Sequence, residues 1–326
     1  MKINKKFPAK TVTVGADEAD RRLDNFLLSR LKDVPRARVY RMIRGGEVRV
    51  NKGRARPDRR LAAGDRVRIP PFESANQVAA DATGRRDTGW IEQRILYEDR
   101  DLLVLNKPTG LAVHGGSGIS SGAIELLRVA RGDVGGQRLE LVHRLDRATS
   151  GCLLIAKRRA SLRHLHAQFR VGEVHKRYAA LLLGQWSGGD RKVSEPLLTG
   201  HRKGGQRHVR VDPSGKRAAT TFTPEMQFDQ SVFVTIDIDT GRTHQIRVHA
   251  AHIGHPVAGD ERYGLASDPV RAEFGLRRLF LHAGVLSFKS PRDERLIRVE
   301  CPLDKELQAL LESLSADSRA GAKSPD

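Results

Sequence analysis

Residues 141–157, LVHRLDRATSGCLLIAK, constrain this chain more than any other stretch. One carboxylate, Asp146, stands between two arginines, Arg144 and Arg147, and a short polar turn and an apolar run follow. An apolar run bounded in this way reads as a buried strand. The layout predicts a single acid held in a loop beside a sheet. With no acidic partner nearby, two-carboxylate hydrolysis is a poor reading. To act as nucleophile or base, Asp146 must stay ionised in a closed site. Burial opposes ionisation, whereas an adjacent arginine lowers a carboxylate pKa by roughly 1–3. The segment TGRTHQIRVH (240–249) supplies a candidate arginine. The spacing alone fits a surface ion pair of small energetic weight equally well.

The charge is unevenly spread. The chain carries 58 Lys/Arg against 39 Asp/Glu, a formal charge of +19. Residues 20–70 alone hold sixteen Lys/Arg against six Asp/Glu. That excess predicts a separate basic module facing a polyanion, nucleic acid first. Within it, Asp20 is placed to cap a helix starting at Arg21, with Leu23, Phe26, Leu27 and Leu31 at helical spacing. Pro35 opens a second helix with an apolar stripe of Val39, Met42 and Ile43, and Gly45–Gly46 stops it. Arg38, Arg41 and Arg44 fall mostly on its opposite face. EVRVN (47–51) and DRVRIP (65–70) alternate as strands. Residues 1–19 read as an extension, and residues 73–92, polar and aperiodic, as a linker.

From 93 to 312 the pattern is α+β. DLLVLNKP (101–108) and GCLLIAK (151–157) read as buried strands, the second leading into a helix with Leu162, Leu165 and Phe169 inside. VFVTIDID (232–239) alternates, with Val232, Val234, Ile236 and Ile238 on one face. Residues 313–326 read as a disordered tail. Cys152 and Cys301 form no CxxC pair, which excludes a cysteine-based zinc site. His244, His249, His252 and His255 crowd one segment without a nearby acid, so no metal is expected. Ser150 accompanies His143 and Asp146, yet no GxSxG elbow exists. GGSGISSG lacks the ending of a Walker A loop. Trp90 and Trp186 are expected to pack, and HRKGGQRHVRVDPSGKR (201–217) to form either a β-hairpin touching phosphates or a solvated loop. Neither a signal peptide nor a membrane span is seen, so a cytoplasmic protein is expected.

Together these segments resemble the RluA family of RNA pseudouridine synthases. The family's HRLDxxTSGLLLxAK motif is matched by His143 to Lys157, which implies that Asp146 is the catalytic carboxylate. Its KxY motif falls on Lys176–Tyr178, implying that Tyr178 stacks on the target uracil. Its GRTHQIR motif falls on Gly241–Arg247, implying that Arg247 pairs with Asp146. Arg144 matches the arginine that helps displace the base from its stack. With it, His143, Arg242 and Gln245 are expected to bind substrate. NKPTGLAVHGG (106–116), GDERYG (259–264) and LFLHA (279–283) extend the match over essentially the whole catalytic region. GDERYG is expected to form a turn near the site, and His244 and His282 to make supporting hydrogen bonds. Cys152 departs from a position that is usually aliphatic, in keeping with packing.

Residues 20–72 resemble the S4 RNA-binding domain, with Arg36, Arg38, Arg41, Arg44, Arg49, Lys52 and Arg54 expected on RNA. The S4 domain, LKDVPRARVYRMIRGGEVRVN and AVHGGSG most resemble the RluC branch, whose members modify large-subunit ribosomal RNA. The implied fold is a small S4 (αL-type) domain followed by a catalytic domain on a mixed, mainly antiparallel sheet. The implied activity is isomerisation of uridine to pseudouridine in 23S ribosomal RNA by a monomer. That chemistry has no redox step, so no metal or nucleotide cofactor is expected. One alternative is a different ribosomal or transfer RNA site. The alternative from another class is a non-catalytic RNA-binding ribosome-assembly factor.

Overall fold

The helical spacing at the front of the chain becomes two short helices, α1 (Leu23–Arg30) and α2 (Arg36–Arg44). The computed structural model describes residues 5–31, 34, 36–74, 88–115, 121–132, 139–203 and 206–321. Pro35 and the Arg36 side chain lie outside what is described. By contacts the chain divides into two units, Met1–Arg86 and Asp87–Asp326.

In the first unit, Leu23, Phe26, Leu27, Val39, Met42 and Ile43 are buried together. They pack on a four-stranded sheet in the order β2 (Lys10–Thr13), β5 (Arg66–Ile69), β3 (Arg49–Val50), β4 (Gly53–Arg54). A separate pair joins β1 (Lys5–Phe7) to β6 (Phe72–Ser74). Two expectations are corrected here. Asp20 does not cap α1: it sits at φ 64 and bonds Arg60 instead. The first helical N–H groups donate to loop carbonyls, Leu23 N to Arg59 O at 2.8 Å and Asp24 N to Pro57 O at 2.9 Å, so a side-chain cap is redundant. Nor are residues 10–19 an appendage, because β2 pairs with β5 and Val14 is buried in the same core.

The second unit opens with α3 (Gly89–Glu92), inside the segment read as linker; Ile91 is fully buried in the catalytic core. Its main sheet runs β12 (Arg191–Val193), β15 (Thr220–Gln227), β16 (Ser231–Ile238), β11 (His175–Leu183), β17 (Leu281–Lys289), β10 (Ser150–Ala156), β8 (Leu102–Lys107), β7 (Ile95–Glu98). β18 (Leu296–Glu300) pairs with β17 and β9 (Glu140–Leu141) with β10. Among the described residues only β10–β17 is a parallel pairing, so the sheet is mixed and mainly antiparallel. β13 (Leu197–Lys203) and β14 (Gln206–Val211) pair antiparallel, so the hairpin reading of this stretch holds over the loop, with its strands beginning and ending earlier than 201–217.

One face of the sheet buries Leu103, Leu105, Leu153, Ile155, Val234 and Ile236 beneath α4 (Ala123–Ala130) and α6 (Gln245–His252). The other packs Leu102, Val104 and Leu154 against α5 (Arg159–Val171) through Leu165 and Phe169. α7 (Pro269–Phe274) and α8 (Lys305–Gly321) close that side. The expected disordered tail is therefore corrected as far as residue 321. Leu307, Leu310 and Leu314 recur at helical spacing and are buried against Val270 and Phe280.

Candidate active site

The parallel join of β10 and β17 sets the site. At Gly151, φ is +107°, and a Cβ there would stand 2.3 Å from Ala283 O. Only glycine lets the strands close to this distance. The loop before β10 is thereby brought to the C-terminal end of β8. There Lys107, fully buried, donates from Nζ to Pro108 O (2.9 Å), Leu111 O (2.9 Å) and Arg147 O (3.2 Å). Thr109 Oγ1 donates to Ala148 O (2.8 Å) and Arg147 Nε to Gly110 O (2.8 Å). The NKPTG turn and the HRLDRATS loop are thus laced together, with Asp146 at the bend. Burial pulls the Lys107 pKa down to about 7, with the charge of Asp146 acting in the other direction.

Tyr178 comes from β11. Pairing between β11 and β17 slips between Arg177 and Ala179, where β17 carries an extra residue. Bulges of this kind re-aim a side chain. Tyr178 is 9% exposed and lines the same cleft as Asp146. Burial, and then the charge of Asp146, push its hydroxyl pKa up, so the phenol stays protonated.

The third wall is the loop into α6. Gln245 is buried and fully engaged. Its Oε1 accepts from Thr240 Oγ1 (2.6 Å) and Arg242 N (3.0 Å), and its Nε2 donates to Ala219 O (2.8 Å) and Thr220 Oγ1 (3.0 Å). This folds the loop and turns His244 into the left-handed region, φ 55. A non-glycine residue held there at a functional site is a strained, positioned one. His244 Nε2 lies 3.8 Å from Asp146 Oδ2, and its Nδ1 lies 2.8 Å from the Tyr263 hydroxyl. Burial lowers the His244 pKa, against the pull of Asp146. With Nε2 facing a carboxylate, the neutral ring keeps its proton there, and Nδ1 accepts from Tyr263.

Arg247 makes the expected ion pair with Asp146 and a second, tighter one with Asp260. Its fork closes on Asp260, Nε to Oδ2 at 2.7 Å and Nη2 to Oδ1 at 2.6 Å, while Nη1 stands 3.8 Å from Asp146 Oδ2. Asp260 also accepts from Arg262 N and Tyr263 N. Burial opposes its charge, yet Arg247 holds its pKa below the usual carboxylate value. The Arg247 guanidinium lies 5.1 Å from the centroid of the Tyr263 ring. The GDERYG turn is therefore the anchor of the arginine that faces Asp146. Gly259 makes this possible: at φ +74° a Cβ would fall 1.9 Å from Arg278 O.

Arg144, Asp146, Tyr178, Arg242, Gln245 and Arg247 line one cleft. Arg144 is exposed, and its guanidinium makes no ion pair among the described residues. Two expected substrate contacts are corrected. His143 points away, stacked on Phe169 at 5.1 Å, with Nε2 accepting from Leu154 N at 3.0 Å. Gln245 has its amide fully committed to protein groups. Ser150 is no nucleophile of a triad either: it sits 2.9 Å from His282 Nδ1 and accepts from Arg278 Nη2 at 2.6 Å. No cluster of three or more metal-ligating side chains occurs among the described residues. Lys107, Asp260 and Tyr263 were given no role by sequence reasoning. The signal present was only that each lies in one of the quoted stretches. In the first unit, Arg38, Arg41, Arg44, Lys52 and Arg54 are exposed and Arg49 is half-buried.

Residues 101–252 match the RNA pseudouridylate synthase family model, and residues 21–67 match the S4 domain. A ribosomal large subunit pseudouridine synthase C of Yersinia pestis is 48% identical over 305 residues, 93% of this chain and 95% of that protein. Its namesake in Escherichia coli K12 is 47% identical over 309 residues, 94% and 96% of the two chains. Among solved structures, human RNA pseudouridylate synthase domain containing 4 matches with a TM-score of 0.58 at 25% identity, over 70% of this chain and 95% of that one. With a relative 48% identical over 93% of its length and both family models matched, the chain belongs to the RluA-type RNA pseudouridine synthases.

Proposed function

We propose that this chain isomerises uridine to pseudouridine in large-subunit (23S) ribosomal RNA, with Asp146 as the carboxylate that acts on the target nucleotide. The names of the relatives supply the RNA, and the cleft supplies the chemistry. One observation carries the reading: Asp146 has Arg247 Nη1 and His244 Nε2 each 3.8 Å away, in a cleft it shares with Tyr178.

The reaction breaks the N1–C1′ bond and joins C5 to C1′, with no net redox change. The target base must first leave its stack, at a cost of a few kcal/mol. Arg144, exposed and without an ionic partner at the cleft, is placed to enter the vacated stack. Stacking of uracil on the Tyr178 ring contributes roughly 1–3 kcal/mol. Asp146 acts at the ribose and the glycosidic bond breaks. The freed uracil turns against Tyr178, C5 bonds to C1′, the C5 proton is released to solvent and N1 takes one up, so that no net proton is gained or lost. Tyr178 enters as a neutral phenol, so its first part is that of a platform and hydrogen-bond donor. Arg242, exposed at the cleft, binds phosphate beside the target nucleotide, and the exposed arginines of α2 bind RNA phosphate as well.

The test is pseudouridine mapping of ribosomal RNA by carbodiimide labelling and primer extension, from cells with and without the gene. Specific large-subunit sites should vanish and return with the wild type but not with Asp146→Asn. The variant should still bind RNA. Restoration by Asp146→Asn would remove the carboxylate from the reaction. An unchanged large-subunit map would remove the proposed target.

A further inference from the structure

Arginines of the first unit are exposed both on α2 and on its sheet. Strand β5 alternates, with Val67 and Ile69 buried against the helices and Arg66 and Arg68 exposed on the far side. The strand register extends that side. Thr11 faces Arg68, Arg68 faces Arg49, and Arg49 faces Arg54. One row across four strands therefore carries three arginines as immediate neighbours, with Arg66 in the next row opposite Thr13. Thr11, Arg49, Asn51, Lys52, Arg66 and Arg68 line a concavity there.

None of these cations makes an ion pair among the described residues. Arg49 Nε donates to Gly46 O (2.8 Å) and Arg68 Nη1 to Glu47 O (3.3 Å), both uncharged. The nearby carboxylate of Asp65 is taken by Asn51 Nδ2 (2.7 Å) and Ala62 N (3.0 Å). Like charges directly opposite one another destabilise a sheet. The row is thus a cost to the free protein that a bound polyanion offsets. The face has no aromatic residue in its lining, so it suits a phosphodiester backbone rather than stacked bases. Arginine forks match phosphate oxygens two at a time. On α2, Val39, Met42 and Ile43 turn into the core, and Arg38, Arg41 and Arg44 are exposed on the helix's other faces.

We infer that the outer face of this sheet is a second phosphate-binding surface, and that the S4 unit holds two stretches of RNA backbone at once, one on each face. The inference rests on the reading of the chain as an RNA-modifying enzyme. The test uses the full-length protein and a transcript of large-subunit ribosomal RNA, with filter binding over a range of salt. Arg66→Gln/Arg68→Gln is compared with Arg38→Gln/Arg41→Gln. Each pair should flatten the log–log salt slope by about 1.4–1.8, two contacts at roughly 0.7–0.9 each, and the quadruple variant should show the sum. Arg66→Lys/Arg68→Lys should keep most of the slope. Without RNA, the Arg66→Gln/Arg68→Gln protein should melt above the wild type, because repulsion along the row is relieved. Ultraviolet crosslinks from the peptides spanning 36–44 and 48–68 should map to different nucleotides. A wild-type slope for the sheet pair, or crosslinks from both peptides to the same nucleotides, would overturn the inference. A wild type that isomerises no uridine, with both slope effects intact, would sink the enzymatic reading and leave the surface supported.

Discussion

At the scale of single residues, the site is a problem of keeping charges where burial resists them. Arg247 and Asp260 solve it as a bidentate pair, and Arg247 then faces Asp146. Removing one partner of a buried pair strands the other, at roughly 3–5 kcal/mol. Asp260→Ala should therefore lose stability on that order and lose turnover with it. Arg247→Met/Asp260→Leu should regain much of the stability but none of the turnover. Urea denaturation and release of tritium from C5-labelled RNA separate the two; a double variant that turns over would free Asp146 from any need of Arg247. Acid sensitivity separates two other groups. Burial drops the His143 pKa to about 4. The unfolded chain takes up that proton below about 6.5, while the native state resists until about 4. Stability should thus fall by about 3 kcal/mol as pH drops through that window. His143→Gln, which keeps an acceptor for Leu154 N, should flatten that part of the curve. Asp260 has a depressed native pKa, so its contribution stands above the unfolded value near ~3.9 and is lost only as pH falls below it. A His143→Gln protein with the wild-type decline between pH 6.5 and 4 would reject the assignment.

At the scale of elements, legibility followed how local the determining contact was. Strands β8, β10 and β16 and helices α2 and α5 were readable because their burial pattern repeats within the element itself. Asp146, Tyr178 and Arg247 meet in one cleft, as the family motifs that contain them implied. What failed depended on remote partners. Asp20 looked like a cap, but Arg59 O and Pro57 O already satisfy the helix start. His143 looked like a site residue, but Phe169 draws it to the far side of the strand. Asp260 was passed over because only the fold brings it to Arg247. The end of the chain is polar enough to resemble a tail, and three leucines at helical spacing decide otherwise. Ending the chain after Glu312 removes Leu314 from that cluster, a loss of about 2 kcal/mol. For a unit of this size the melting temperature should fall by roughly 4–8 °C. An unchanged melt would make the last turns of α8 dispensable. Gly151→Ala tests the parallel join more severely, since its Cβ meets backbone rather than a movable side chain. Soluble, folded Gly151→Ala enzyme at wild-type stability would contradict the close approach of β10 and β17.

At the scale of the whole molecule, two units with separate cores divide the work between holding RNA and transforming one base of it. Binding energy from a unit that does not touch the reacting atoms acts on ground state and transition state alike, so it lowers KM without raising kcat. Residues 87–326 alone should therefore fold, with the cooperative unfolding expected of their own core. At saturating RNA they should turn over within a few-fold of the full chain. The loss should appear in KM, and salt should expose its origin. If the first unit neutralises about four phosphates, its removal lowers the log–log slope by about 3. Raising salt from 50 to 200 mM would then narrow the gap in affinity between full-length and truncated protein by roughly sixty-fold, since the full chain has more contacts to lose. Parallel salt lines would mean that the basic unit binds through something other than phosphate. A collapse of kcat in a folded truncation would mean that the S4 unit takes part in the chemical step rather than delivering the RNA to it.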